Sequence, residues 1–206
     1  MKKIIFSFTL FIYGMYGTRT PEYKVDQVFT NRWSSRAFSK KPVSTKELMS
    51  LFEAARWAPS SYNSQPWKFV WAHNGSIEFT KMFDCLVLFN QEWVKQAPVL
   101  VTIISKDTFD HNNEFSRTHS FDTGAAWANF ALQASLNGMV AHGMSGFDYD
   151  KIKKELNIPD GYTVEAMVAV GKQGKQENLP TKMRSMEKMS DRKQVSEFVF
   201  EGTFRK

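Results

Sequence analysis

Two arginines with hydroxyls between them can close on one anion. In Arg32-Trp33-Ser34-Ser35-Arg36 each guanidinium is permanently charged and offers a planar pair of donors. Charge-assisted bonds to phosphate are about twice as strong as neutral ones. The spacing alone equally fits two solvated arginines at a helix end. A second segment, Ala58-Pro59-Ser60-Ser61-Tyr62-Asn63-Ser64-Gln65-Pro66-Trp67, sets small polar residues between two prolines. After Pro59, the hydroxyls of Ser60 and Ser61 and the amides of Asn63 and Gln65 could line a polar heterocycle. The same composition describes an ordinary turn. In Gly143-Met144-Ser145-Gly146 the flanking glycines permit close backbone approach to a flat ligand, though taken alone the segment reads first as a plain strand-to-helix loop. Late in the chain, Ser190-Asp191-Arg192-Lys193 adds positive charge or is a solvated charge run.

Other reactive residue types offer less. Cys85 is the only cysteine, so neither a disulfide within the chain nor a cysteine-based zinc cluster is possible. Nothing in Phe83-Asp84-Cys85-Leu86 would activate a thiolate, and Cys85 reads as a buried bystander. His73, His111, His119 and His142 qualify as acids by residue type only. Arg117 and His119 lie just before the alanine-rich stretch that begins at Asp122, so His119 ranks first for lining a substrate mouth.

These segments need a scaffold, and periodicity predicts one. A short helix over Val25 to Thr30 leads into the first arginine. Ser44-Thr45-Lys46-Glu47 is a capping box. Leu48, Leu51, Phe52 and Ala55 then share one helix face, and Pro59 ends that helix. Strands are predicted at Trp67 to Ala72, Pro98 to Ser105, Met139 to Ala141 and Val164 to Gly171. The second is continuous in apolar and β-branched residues and reads as buried on both faces. One helix should contain Met82 and Leu86, and another should cover Asp150 to Leu156. Asp122 to Asn137 is rich in alanine and reads as a helix buried in a core or a subunit interface. From Gly174 the tail is polar and mobile in character until Val195, Phe198, Val199 and Phe200 give it something to dock. Helices alternating with strands make the class α+β or α/β.

The bounds are consistent with a packed domain. A chain of 206 residues, 42% hydrophobic and 15% aromatic, is not disordered. A net charge of +6, from 27 basic and 21 acidic residues, suits anionic cofactors. It is spread along the chain, without zinc-finger spacing or an RNA-binding aromatic motif, so nucleic acid is not an expected partner. Lys2, Lys3 and the apolar run Ile4 to Tyr13 have the outline of a signal peptide, but an A-x-A cleavage site is missing. The run is short for a membrane span. An extension that packs on the body or is disordered, and a start at Met15, stay open beside export or anchoring. A cytoplasmic location is the working expectation, with no membrane partner.

Taken in order, the segments resemble the nitroreductase family. The resemblance rests on Arg32 to Phe38, Phe52 to Ser61 with Asn63 and Gln65-Pro66-Trp67, Asp122-Thr123-Gly124-Ala125-Ala126, Gly146-Phe147-Asp148 and Arg192-Lys193. It runs from about Val25 to the C-terminus. It implies an α+β fold with a central, mostly antiparallel sheet flanked by helices, in a domain-entwined homodimer. Residues 1–20 would be an extension, and 21–206 a single domain whose tail wraps the partner. It implies FMN in two clefts at the dimer interface and NAD(P)H as reductant. Arg32, Ser34 and Arg36 match the segment holding the phosphate and ribityl oxygens. Trp33 stands where many relatives carry a second basic residue. Pro59, Ser60, Ser61, Asn63 and Gln65 match the loop that reaches the flavin, typically from the other subunit. Met144, Ser145 and Gly146 match the loop facing the reactive edge of the ring, and Arg192 and Lys193 the late basic residues near the phosphate. The implied reaction is a ping-pong reduction of nitroaromatics, quinones or related conjugated acceptors. It requires no side-chain nucleophile and no metal, because the cofactor carries the hard chemistry. A non-catalytic flavin-binding protein is the alternative.

Overall fold

The computed structural model describes residues 19–205. The readings placed on the first eighteen residues, of export, anchoring or a later start, lie outside them. Four strands form one antiparallel sheet: β1 (Trp67–His73), β2 (Val99–Lys106), β3 (Met139–Met144) and β4 (Tyr162–Lys172), in the order β1-β2-β4-β3. Val99 to Ser105 of β2 are all buried, as an apolar central strand requires. Alternation then divides its side chains between two cores. Leu100 and Ile104 join one with Phe38, Met82, Trp93, Ile152 and Met183. Val99, Val101 and Ile103 join the other with Leu48, Leu51, Ala126, Phe130 and Ala134. The class is α+β, a sheet with helices on both faces.

The first helix, α1 (Gln27–Asn31), begins two residues later than periodicity suggests. Asp26 is its cap, its carboxylate accepting from Val28 N at 2.8 Å. The box at Ser44 is present in full and starts α2 (Thr45–Arg56). That helix closes at Trp57, ahead of Pro59. A single helix through Met82 and Leu86 does not form. Instead α3 (Ile77–Phe83) stops, Leu86 bridges to Phe147, and α4 (Leu88–Val94) follows. The long helix α5 (His119–Leu136) starts three residues before Asp122. It packs on α2 through Phe52 and Phe130, 5.3 Å apart, and through Asn129, which donates to the Ala54 carbonyl at 3.2 Å. Its far side is not buried within the chain: Phe121 is 80% and Leu136 66% exposed.

Beyond Asp148, which caps α6 (Tyr149–Glu155), the chain returns through β4. The tail differs most from expectation. Leu179 and Met183, the latter in the short helix α7 (Thr181–Arg184), enter the first core, and Glu187 is buried too. Phe198 and Val199, expected to dock, are exposed within the single chain. No helix among the described residues is long and apolar enough to cross a membrane.

Candidate functional site

The segment Arg32–Ala37 follows α1 and is held in place by polar groups from three other parts of the chain. Glu187, 4% exposed, accepts from Arg36 N at 3.0 Å, from Ala37 N at 3.1 Å and from the Ser35 hydroxyl. Gln173, at the end of β4, donates to Ser35 Oγ at 2.7 Å. His142, on β3, places Nδ1 3.0 Å from the Ser35 carbonyl. A carbonyl only accepts, so Nδ1 carries the proton there. Burial against Trp93 pushes the His142 pKa down to about 4, which keeps the ring neutral near neutral pH.

Burial lowers the proton affinity of Arg32, and the neighbouring Arg192 lowers it further. Arg19 joins them, donating from Nη1 to the Arg32 carbonyl at 2.9 Å. The Nε atoms of Arg19 and Arg36 are buried without a hydrogen-bond partner. Uncompensated guanidinium donors of this kind fit an anion with several acceptor oxygens, such as a phosphate. Arg32 and Ser34 line a cleft of about 460 Å³ with Trp127, Ala128, Leu132 and Gly143. Trp33 lines an adjoining cleft with Arg32. Arg192 and Lys193 line a third, which shares Phe29 with the first. Clefts of this size hold small molecules.

The loop from Pro59 to Gln65 sits elsewhere. Its anchor is Asp122, buried in the first turn of α5, which accepts from Ser61 N at 3.0 Å and from the Thr118 hydroxyl at 3.1 Å. Tyr62, Asn63 and Gln65 all adopt left-handed backbone, with φ of 52°, 53° and 49°. Such backbone in non-glycine residues concentrates at functional sites. Gln65 N donates to Ser60 Oγ at 3.0 Å. Asn63 and Gln65 line a separate cleft of about 440 Å³, with Tyr62, Lys68, Asp110 and His111. One chain therefore keeps the arginine segment and this loop in different clefts.

Met144 is the last residue of β3 and is buried, so the short strand expected to end at Ala141 runs into the Gly146 loop. Gly146 is confined by protein. A Cβ there would lie 2.7 Å from Asn90 Nδ2, whose amide donates to the Gly146 carbonyl at 3.0 Å. At Gly143 a Cβ would lie 3.1 Å from the Trp127 ring. The close approaches that glycine allows here are to Asn90 and Trp127.

His119 does not line an open mouth. Its side chain is 12% exposed, with Nδ1 2.7 Å from Ser105 Oγ and Asp107 and Glu165 close by. Serine and both acids meet the same ring nitrogen, so this is no nucleophile-activating relay, which needs the two ring nitrogens. His111 and His73 each line a cleft, in different parts of the chain. Residue patterns missed Arg19, which lies before the first recognisable motif, and Glu187, whose lone carboxylate carries no motif. They also missed Trp127.

A family model described as the nitroreductase family matches residues 29–86 and 81–172. A solved structure described as an oxidoreductase containing FMN is 43% identical, with a TM-score of 0.87 over 91% of this chain and 96% of its own. A Rhodopseudomonas palustris (strain TIE-1) relative, named for NADH dehydrogenase and NAD(P)H nitroreductase activity, is 29% identical. The match spans 68% of this chain and 80% of that protein. A Bacillus subtilis (strain 168) relative, MhqN, named for NAD(P)H nitroreductase activity, is 26% identical over 82% of this chain and 93% of its own.

Proposed function

The chain belongs to the nitroreductase family and is an oxidoreductase, and from that premise we propose that it binds FMN and uses NAD(P)H to reduce conjugated acceptors. One observation carries the cofactor reading: the uncompensated arginine group around Arg32, beside Ser34 and the Gly143 cleft. When bound, FMN would supply the electron-transfer chemistry that links NAD(P)H to nitroaromatics, quinones or similar acceptors in a ping-pong cycle.

The chain's own residues bind and orient. Arg32, Arg36 and Arg192, with Lys193 nearby, balance the phosphate charge, and Ser34 meets the ribityl chain. Glu187 holds the backbone of Arg36 and Ala37, and His142 the Ser35 carbonyl, so that these side chains converge. Met144, Ser145 and Gly146 form the firm edge of the ring site, because Asn90 clamps the Gly146 carbonyl. Pro59, Ser60, Ser61, Asn63 and Gln65 meet the flavin of a second copy. The separation of the two clefts within one chain supports that arrangement. The active unit is then a homodimer, its single domain beginning near residue 21 and its tail lying on the partner. The place of action is the cytoplasm.

Purified protein should be yellow, absorbing near roughly 450 nm, and should bleach anaerobically with NADH or NADPH. A quinone or nitroaromatic should restore the colour. Colourless protein that takes up no FMN would overturn the flavin reading. Yellow protein that neither nucleotide bleaches would leave a flavin carrier instead of a reductase.

A further inference from the structure

Arg19 lies outside every segment with a recognisable pattern, yet its guanidinium stands among theirs. Nη1 donates to the carbonyl oxygens of Thr30, at 3.2 Å, and Arg32, at 2.9 Å, where α1 ends. Those two bonds fix the plane of the fork. Nε is buried and has no partner. Arg19, Arg192 and Lys193 line one cleft of about 340 Å³. Arg192 and Arg32 both repel the charge of Arg19, and Asp191 offsets part of that. A buried, charged donor without an acceptor is costly, and more so among like charges. An anion bound between the guanidinium groups removes both penalties.

We propose that Arg19 is a direct ligand of the FMN phosphate, a third guanidinium beside Arg32 and Arg192. The inference rests on the flavin reading above and extends its phosphate site to the start of the described chain. The rival role is a strut, in which Arg19 only ties residues 19–20 to the end of α1. The two roles separate on riboflavin, which lacks the phosphate. A strut shapes the site for both flavins, whereas a phosphate ligand distinguishes them.

The test titrates full-length protein, stripped of flavin, with FMN and with riboflavin, following flavin fluorescence. Arg19→Gln should weaken FMN binding about tenfold or more and leave riboflavin within about twofold. Equal weakening of both, or of neither, overturns the assignment. Arg32→Ala is the control for the underlying reading. If it lowers the FMN-to-riboflavin preference while Arg19→Gln does not, only this inference falls. If neither variant lowers it, the phosphate site itself is misplaced. A change in NADPH-over-NADH preference with the flavin ratio intact would move Arg19 to the nucleotide and overturn the proposal. Should Arg19→Gln fail to fold, Arg19→Lys decides. It keeps the charge and loses the fork, so a several-fold fall in the flavin ratio supports the proposal and an unchanged ratio sinks it.

Discussion

Glu187 fixes the backbone of the proposed phosphate segment from far along the chain. Its carboxylate accepts from two backbone N–H groups and one hydroxyl of the Arg32–Ala37 segment. Glu187→Gln keeps the shape but turns an NH₂ toward those donors. Unmet buried hydrogen bonds cost about 1–3 kcal/mol. We expect a lower melting temperature together with about tenfold weaker FMN binding, read by calorimetry and flavin fluorescence. Unchanged flavin affinity would show that Glu187 does not position the arginines. His142, facing Arg36, Glu187 and Trp93, adds a pH dependence. Its pKa is about 4 in the folded chain against 6.5 ordinarily. Above pH 6.5 the ring is neutral in both states and stability is unaffected. As pH falls from 6.5 toward 4, the unfolded chain takes up the proton first, so stability falls, and it levels off below that window. The full loss is at most about 3 kcal/mol. Urea unfolding at about pH 7 and about pH 4.5 should reveal the slope, and His142→Gln should flatten it.

Among elements, α5 does two jobs, and its first turn carries the more testable one. Asp122 holds Ser61 N and thereby a loop with three left-handed residues. Asp122→Ala should free that loop, making residues 60–65 more susceptible to proteolysis and lowering stability by about 1–3 kcal/mol. Unaltered cleavage would mean that the left-handed turns hold themselves. The legibility of these elements in the sequence follows the same physics. β2 was legible because burial on both faces leaves a run of apolar and β-branched residues, and α2 because its cap and its apolar stripe agree. The break between α3 and α4 was not legible. Leu86 continues the apolar pattern of α3, but tertiary pairing with Phe147 takes it out of the helix. The tail read as polar because Leu179, Met183 and Glu187 are widely spaced, and only the tertiary fold buries them. Of the site, Arg32, Ser34 and the Pro59–Gln65 loop stood out by composition. Arg19 and Glu187 act through geometry that spans 13 and 151 positions, to Arg32 and to Arg36, and no local pattern records that.

At the scale of the whole molecule, several large apolar side chains among the described residues are exposed in the single chain. Phe121 and Leu136 mark the two ends of α5, and Phe198, Val199 and Phe204 follow along the tail. Large exposed apolar areas on a folded domain mark interaction sites. The two halves of the proposed flavin site lie in different clefts of one chain, so a second copy would cover the apolar surface and complete the site together. Substitutions at the ends of α5 can separate assembly from folding. Phe121→Asp places a negative charge in the helix's first turn, and Leu136→Lys places a positive charge in its last. Both favour the helix dipole, each by about 0.3–1 kcal/mol, so the subunit should stay folded. Both also put a charge where the partner would have to bury it, which an interface core tolerates poorly. The double variant should sediment as a monomer with an unchanged far-ultraviolet spectrum, and it should lose its yellow colour on gel filtration. A dimer that persists would move the interface away from α5. A monomer that stays yellow would mean that one chain holds FMN without help, and the Pro59–Gln65 loop would then need a different role.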